Sequence, residues 1–297
     1  MSLLQTFLTA KRAEGRRPAT LRDYDLVLTR FSQQVDMATP ETWTRATIRT
    51  YVADLRATGW APATVALHIR YLRAFWKWCR LEGYTTEDFS QLIPAPPRTI
   101  REETVPTTAE FTALVQACQG DRWAGRDRAI ILLLADTGLR RQEFCTLRRA
   151  QVAFEDDVAW IQLSGQHTKN GKDRFVFLGR ASAAAVRAYL TARTDAAPAL
   201  FVGDRGPLGG DGLYHMLHRR ARQAGLDPKR IHPHLLRKVF ASWWVENGGD
   251  EQRLMEIAGW SGPEMLRVYV RLNARPKLQQ AHRQYGPVDK LFKDDAL

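Results

Sequence analysis

The chain has 297 residues, 44% hydrophobic and 26% charged, an ordinary globular composition that excludes a disordered or collagen-like chain. Its longest apolar run, Ala129 to Ala135, is far short of the roughly 20 residues of a membrane span, and Cys79, Cys118 and Cys145 offer neither a disulfide framework nor a Cys-rich zinc site. Lysine and arginine together number 44 against 32 acidic residues, a net charge of +12, and a polyanion, nucleic acid above all, is the expected partner.

At roughly 100–200 residues per domain the length predicts two domains. The divide falls in the proline-rich, charged segment IPAPPRTIREETVP, so that 1–95 form one domain, 96–106 a linker and 107–297 a second domain. Along the first, a short helix precedes Arg16. Leu21, Tyr24, Leu28, Phe31 and Val35 then recur at the 3,4 spacing of one helix face. Ile48, Tyr51, Val52 and Leu55 mark another helix, and Thr64 to Leu81 a third that Gly83 is placed to end. Phe75, Trp76 and Trp78 are expected in the core. Arg70, Arg73, Lys77 and Arg80 between them are the expected DNA face.

The second domain opens on a capping box, Thr107-x-x-Glu110. Arg126 to Asp136 is a strongly apolar helix, expected at the centre of the core. Val158–Leu163 and Phe175–Leu178 read as strands, joined by the polar hairpin SGQHTKNGKDR with its Asn170-Gly171 turn. Helices are expected at Ser182–Arg193, Leu213–Ala224, Pro233–Asn247, Glu251–Ala258, Pro263–Val270 and near 277–285. The fold class is therefore mainly α with a small β-sheet.

Four stretches have the composition of a phosphate site. TGLRRQEF sets Arg140 after a glycine-containing turn, at a helix start. HTKNGKDR sets Lys169 and Lys172 on the hairpin. HPHLLRK spaces His234 and Arg237 for one helical face. AGWSGPEMLRVYV sets Trp260 nine residues before Tyr269. Each has a bland reading taken singly: a solvated charge, a surface pair, a core tyrosine.

In this order and spacing they resemble the tyrosine recombinase (phage integrase) family over almost the whole chain. TGLRRQEFCTL is similar to the family's first arginine box, HTKNGKDRFVFL to its β-hairpin lysine segment, HPHLLRKVFASWW to its His-x-x-Arg box, and GWSGPEMLRVY to the box ending in the nucleophile. The length most resembles the Xer branch and the small integrases. The resemblance implies an N-terminal helical, SAM-like core-binding domain and a mixed α/β catalytic domain that together form a C-shaped clamp on DNA.

It implies roles as well. Arg140 and Arg237 clamp the scissile phosphate, and Glu143 orients the first of them. Lys169 protonates the leaving 5′-oxygen, with Lys172 as the alternative. His234 serves as acid and base, Trp260 fills the position taken by His or Trp, and Tyr269 is the nucleophile that forms a 3′-phosphotyrosyl link. Lys238 stands where many relatives have a second His. Trp260 is an N–H donor that does not titrate.

The chemistry asks for this set on its own terms. Charge in a phosphoryl-transfer transition state spreads over the equatorial oxygens, and two guanidinium forks can stabilise it without a metal. A tyrosine with an ordinary pKa of about 10 needs nearby positive charge and a proton acceptor. No cofactor is expected.

The alternative reading is a catalytically silent or partner-dependent DNA-binding accessory protein, which would need no such Arg–Lys–His–Arg–Tyr series. A metal nuclease would have to use pairs such as His215/His218 and His232/His234. Near the first pair, Arg219, Arg220 and Arg222 would repel a cation. A relaxing topoisomerase shares the chemistry but does not pair subunits. The tail from Arg271 to Leu297, which in the family commonly docks on a neighbouring subunit, leads to the expectation of a monomer in solution and a homo- or hetero-tetramer on double-stranded DNA. A partner recombinase or an activating protein stays open.

Overall fold

The computed structural model describes residues 2–94, 104–155, 158–165, 173–260 and 262. Two compact units emerge, Met1–Arg101 and Glu102–Leu297.

The first unit is helical. α1 (Leu3–Ala13) is capped by the Ser2 hydroxyl, which accepts from the Gln5 N–H. α2 (Pro18–Ser32) starts with proline in its first turn, where the missing N–H costs nothing. α3 (Arg45–Ala57) is capped by Thr44, and α4 (Pro62–Leu81) runs 20 residues. The apolar stripes of these helices meet in a core rich in rings. Phe7 packs edge-on against Tyr24, Phe75 and Trp78, and Phe31 against Trp43, Tyr51 and Trp76.

Two expectations shift here. α2 ends at Ser32, so Val35 enters the core from the turn beyond the helix. Arg70, Lys77 and Arg80 are exposed, but Arg73 is not a free cation on that face. It lies one turn from buried Ile69 and from buried Trp76, at the margin of the core, and its guanidinium donates to the Ile93 carbonyl at 3.2 Å.

The second unit is helical around a small antiparallel sheet. The capping box of Thr107 and Glu110 starts α5 (Thr108–Gln116) with both reciprocal bonds made. α6 (Ala124–Thr137) is the central helix, packed against α8 (Arg180–Thr191), α10 (Pro233–Glu246) and the sheet. The sheet runs β1 (Val152–Glu155), β2 (Val158–Leu163), β3 (Arg174–Leu178) in that spatial order. β1 was not among the expected strands. In β3, Val176 and Leu178 are buried while Phe175 and Phe177 face solvent. A two-residue pair, β4 (Val202–Gly203) and β5 (Gly206–Pro207), precedes α9 (Gly210–Gln223). α7 (Arg141–Cys145) and α11 (Glu251–Ala258) are short and bear on the site below.

The first turn of α6 is not apolar. Arg126 and Asp127 are buried there, and both oxygens of Asp127 are taken by guanidinium groups: Arg126 on one, Arg219 and Arg220 on the other, at 2.6–2.9 Å. Arg220, fully buried, also donates to Asp121 at 2.9 Å. Burying these charges is tolerable only because each is paired and hydrogen-bonded.

Expected elements at 166–172, 263–270 and 277–285 fall outside the described residues. No described helix is long and apolar enough to cross a membrane, and no metal-ligand cluster occurs among the described residues. His215 and His218 sit on α9, where the His218 ring packs edge-on to Tyr214. His232 caps α10 by accepting from the Leu235 N–H.

Candidate active site

The site begins where α6 stops. Gly138 takes a left-handed conformation (φ +59°), and a Cβ there would run into the Phe240 ring. That stop sends the chain through buried Leu139 to Arg140, the residue before α7. Glu143, three residues on, closes a loop onto Arg140 twice. One carboxylate oxygen accepts the Arg140 N–H at 2.9 Å, and the other accepts the Arg140 guanidinium at 2.9 Å. Glu143 thus holds both the backbone and the side chain of Arg140.

α11 supplies the other half. It ends on Gly259 (φ +63°), and the Trp260 N–H folds back to the Met255 carbonyl at 2.9 Å. The last carbonyls of a helix lack intrahelical donors and lie at the negative end of its dipole, so they attract cations. Here three successive carbonyls each accept from a different arginine. Ile257 accepts from Arg174 Nε of β3 at 3.1 Å, Ala258 from Arg237 Nη2 of α10 at 2.7 Å, and Gly259 from Arg140 Nη2 at 2.6 Å. Arg237 also donates through Nη1 to the Gly138 carbonyl, and its guanidinium lies 5.6 Å from the centre of the Trp260 ring.

Arg174 completes the cluster by gripping Glu143 with both prongs, at 3.0 and 2.8 Å. Burial alone pushes the Glu143 carboxyl up. The hydrogen bonds and charge of Arg174, then the Arg140 N–H and guanidinium, outweigh burial and hold it below its ordinary value. Two guanidinium groups share the one carboxylate and a third, that of Arg237, is held at the same helix end, which leaves a positive centre suited to an anion. The thiols offer no competing nucleophile. Burial pushes Cys79 up to about 12 and Cys118 up to about 11.

Of the residues singled out from sequence, the structure therefore brings together Arg140, Glu143, Arg237 and Trp260, which come from three separate stretches. His234 lies one turn before Arg237 on α10, exposed, its ring parallel to that of His232 at 6.5 Å. Lys169, its alternative Lys172, and Tyr269 lie outside the described residues. Arg174 was missed. Its signal was an arginine in register with Val176 and Leu178, on the inward face of a strand, where a cation needs a partner.

Comparison with known proteins gives the family. Residues 105–275 match the model of the phage integrase family, and residues 3–84 that of the phage integrase N-terminal SAM-like domain. Tyrosine recombinase XerA of Pyrococcus furiosus is 30% identical over 277 residues, 92% of this chain and 90% of that protein. Tyrosine recombinase XerD of Xanthomonas axonopodis pv. citri is 30% identical, covering 82% of each. The fold is similar to a lambda integrase(75-356) dimer bound to a COC′ core site, with a TM-score of 0.73 at 18% identity over 91% of this chain and 95% of that one. With the family model covering more than half of it, the chain belongs to the phage integrase family, as a tyrosine recombinase of the Xer type.

Proposed function

We propose that this chain, a site-specific DNA recombinase of the tyrosine class, breaks and rejoins DNA strands by phosphoryl transfer to and from Tyr269, with neither a metal ion nor ATP. The observation that carries this reading is the convergence of Arg140 and Arg237 on consecutive carbonyls at the end of α11, immediately before the segment that runs from Trp260 to Tyr269.

In this reading the Tyr269 hydroxyl attacks the scissile phosphorus and gives up its proton to His234. The bond from phosphorus to the 5′-oxygen breaks, and Lys169 delivers a proton to that oxygen. Arg140, Arg237 and the indole N–H of Trp260 bind the non-bridging oxygens as charge builds on them. The 3′-phosphotyrosyl link conserves the phosphodiester energy. A 5′-hydroxyl from another strand then reverses the step and completes the exchange.

The partner is double-stranded DNA, which the basic charge of both parts of the sequence supports. The lambda integrase structure, a dimer on its core site, supports the same partner. Strand exchange needs paired active subunits, so the assembly that goes with this reading is a homo- or hetero-tetramer formed on DNA from free monomers. Action on DNA would place the protein in the cytoplasm, with the nucleoid.

The test is covalent capture from a randomised duplex library carrying nicks, with EDTA present. Adducts that survive denaturation with wild type, and none with Tyr269→Phe, are expected. Adducts that persist in Tyr269→Phe would overturn the assignment of the nucleophile. Non-covalent enrichment alone would favour the accessory-protein reading.

A further inference from the structure

We infer that Arg174 is a positioning residue of strand cleavage, holding Glu143 and the end of α11 so that Arg140 presents its charge to the scissile phosphate. The inference rests on the recombinase reading above.

The geometry is specific. Arg174 uses all three kinds of guanidinium nitrogen, Nη1 and Nη2 on the two oxygens of Glu143 and Nε on the Ile257 carbonyl. The Arg140 guanidinium shares one of these acceptors, the Glu143 oxygen that Arg174 Nη1 also reaches, and takes the Gly259 carbonyl two residues beyond Ile257. The two arginines are therefore fixed relative to each other through one carboxylate and one helix end. Between them the clearance is small. A Cβ on Gly259 would lie 3.1 Å from Arg174 Cζ and 3.3 Å from Arg140 Nη1.

The electrostatics give the arrangement its purpose. The Arg140–Glu143 pair alone is neutral, and its buried carboxylate would cancel much of the attraction that Arg140 offers a phosphate. Arg174 supplies the second positive charge and leaves the triad at +1. It is almost out of solvent, 12% exposed beside a carboxylate that is 1% exposed, so water screens neither charge well. It acts through Glu143 and Arg140, the groups it is bonded to or shares an acceptor with.

The same randomised nicked library tests this, read as the single-turnover rate of adduct formation with Arg174→Gln and Arg174→Lys. Duplex affinity and the melting temperature are measured alongside. Arg174→Gln is expected to slow adduct formation about 10²-fold, the usual loss for a disturbed preorganised donor, while affinity for a short labelled duplex changes little. Arg174→Lys, which restores charge without the fork, should recover part of the rate.

Two further readouts separate positioning from mere support of the fold. Arg174→Gln leaves Glu143 buried with fewer donors, so its carboxyl titrates at higher pH and the cleavage rate gains an acid limb. Adding Glu143→Gln removes that limb. Second, the losses from Arg174→Gln and Glu143→Gln should be far from additive, since both act through Arg140. A wild-type rate in Arg174→Gln, strict additivity, or a loss matched by Arg174→Lys with no change in pH profile would overturn the inference. Wild type that forms no adduct would instead overturn the recombinase reading, and this inference with it.

Discussion

Arg237 and Arg140 donate to adjacent carbonyls, those of Ala258 and Gly259, from elements that are almost a hundred residues apart in the chain. A helix end has thus become the jig for two forks. Each carbonyl accepts from one terminal nitrogen, Nη2, and the N–H groups and charge left over are what a phosphate would meet.

Replacing either arginine should therefore damage chemistry more than binding. Arg140→Gln and Arg237→Gln are each expected to lower the rate of covalent adduct formation about 10²–10³-fold. Affinity for duplex should fall by far less, because many phosphate contacts share it. Single-turnover capture together with fluorescence anisotropy checks this. Arg237 is buried and bonds the Gly138 carbonyl, so its variant should also lower the melting temperature.

Gly259→Ala tests the jig from its other side. The left-handed backbone costs a residue with a Cβ about 1 kcal/mol, and the methyl would press on the guanidinium of Arg174 at 3.1 Å. The guanidinium would have to give by a few tenths of an ångström, and since a misplacement of about 1 Å costs about 10² in rate, a several-fold loss of rate is expected. Gly83→Ala is the control, since Gly83 has φ +81° but nothing near its missing Cβ. It should pay the backbone cost and leave adduct formation unchanged.

Glu143 makes the stability of the second unit depend on acid. Its folded pKa lies below the ordinary 4.5, after burial has been outweighed by Arg174 and Arg140. A depressed carboxyl contributes stability that is fully present above its unfolded pKa and lost as pH falls through its folded one. Melting temperatures of wild type should therefore drop below about pH 4.5, the ordinary value for a glutamate. Glu143→Gln should be less stable at neutral pH and should show a shallower acid slope. An unchanged slope would mean that other carboxylates govern the acid response.

Much of this was legible in the sequence, for a physical reason. Periodicity places the helices that carry a continuous apolar stripe, as with Ile48, Tyr51, Val52 and Leu55 in α3. Local capping chemistry fixes the start of α5 at Thr107. β1 was not legible because its four residues show no alternation of buried and exposed positions. The grouping of Arg140 with Arg237 followed from family resemblance, but what holds them did not. Their acceptors are backbone carbonyls, which every residue has, and their use is decided by tertiary contacts across 119 and 21 residues. Arg174 shows the same limit, since its partners lie 31 and 83 residues away.

The buried charges of α6 lead to a prediction about folding rather than catalysis. Asp127 has no exposed side-chain surface and is the common acceptor of Arg126, Arg219 and Arg220. Asp127→Asn keeps the shape and removes the charge, so three guanidinium groups would share an amide oxygen and face its NH2. Breaking such a buried network costs about 3–5 kcal/mol. For a unit of this size that is a fall of roughly 10 °C or more in melting temperature. The network lies away from the arginines at the end of α11. Below the new melting point, the Asp127→Asn protein should therefore form adducts at close to the wild-type rate. Thermal denaturation paired with single-turnover capture separates the two effects. A slowed rate in fully folded Asp127→Asn would show that α6 transmits strain from its first turn to Gly138 and Arg140 at its end.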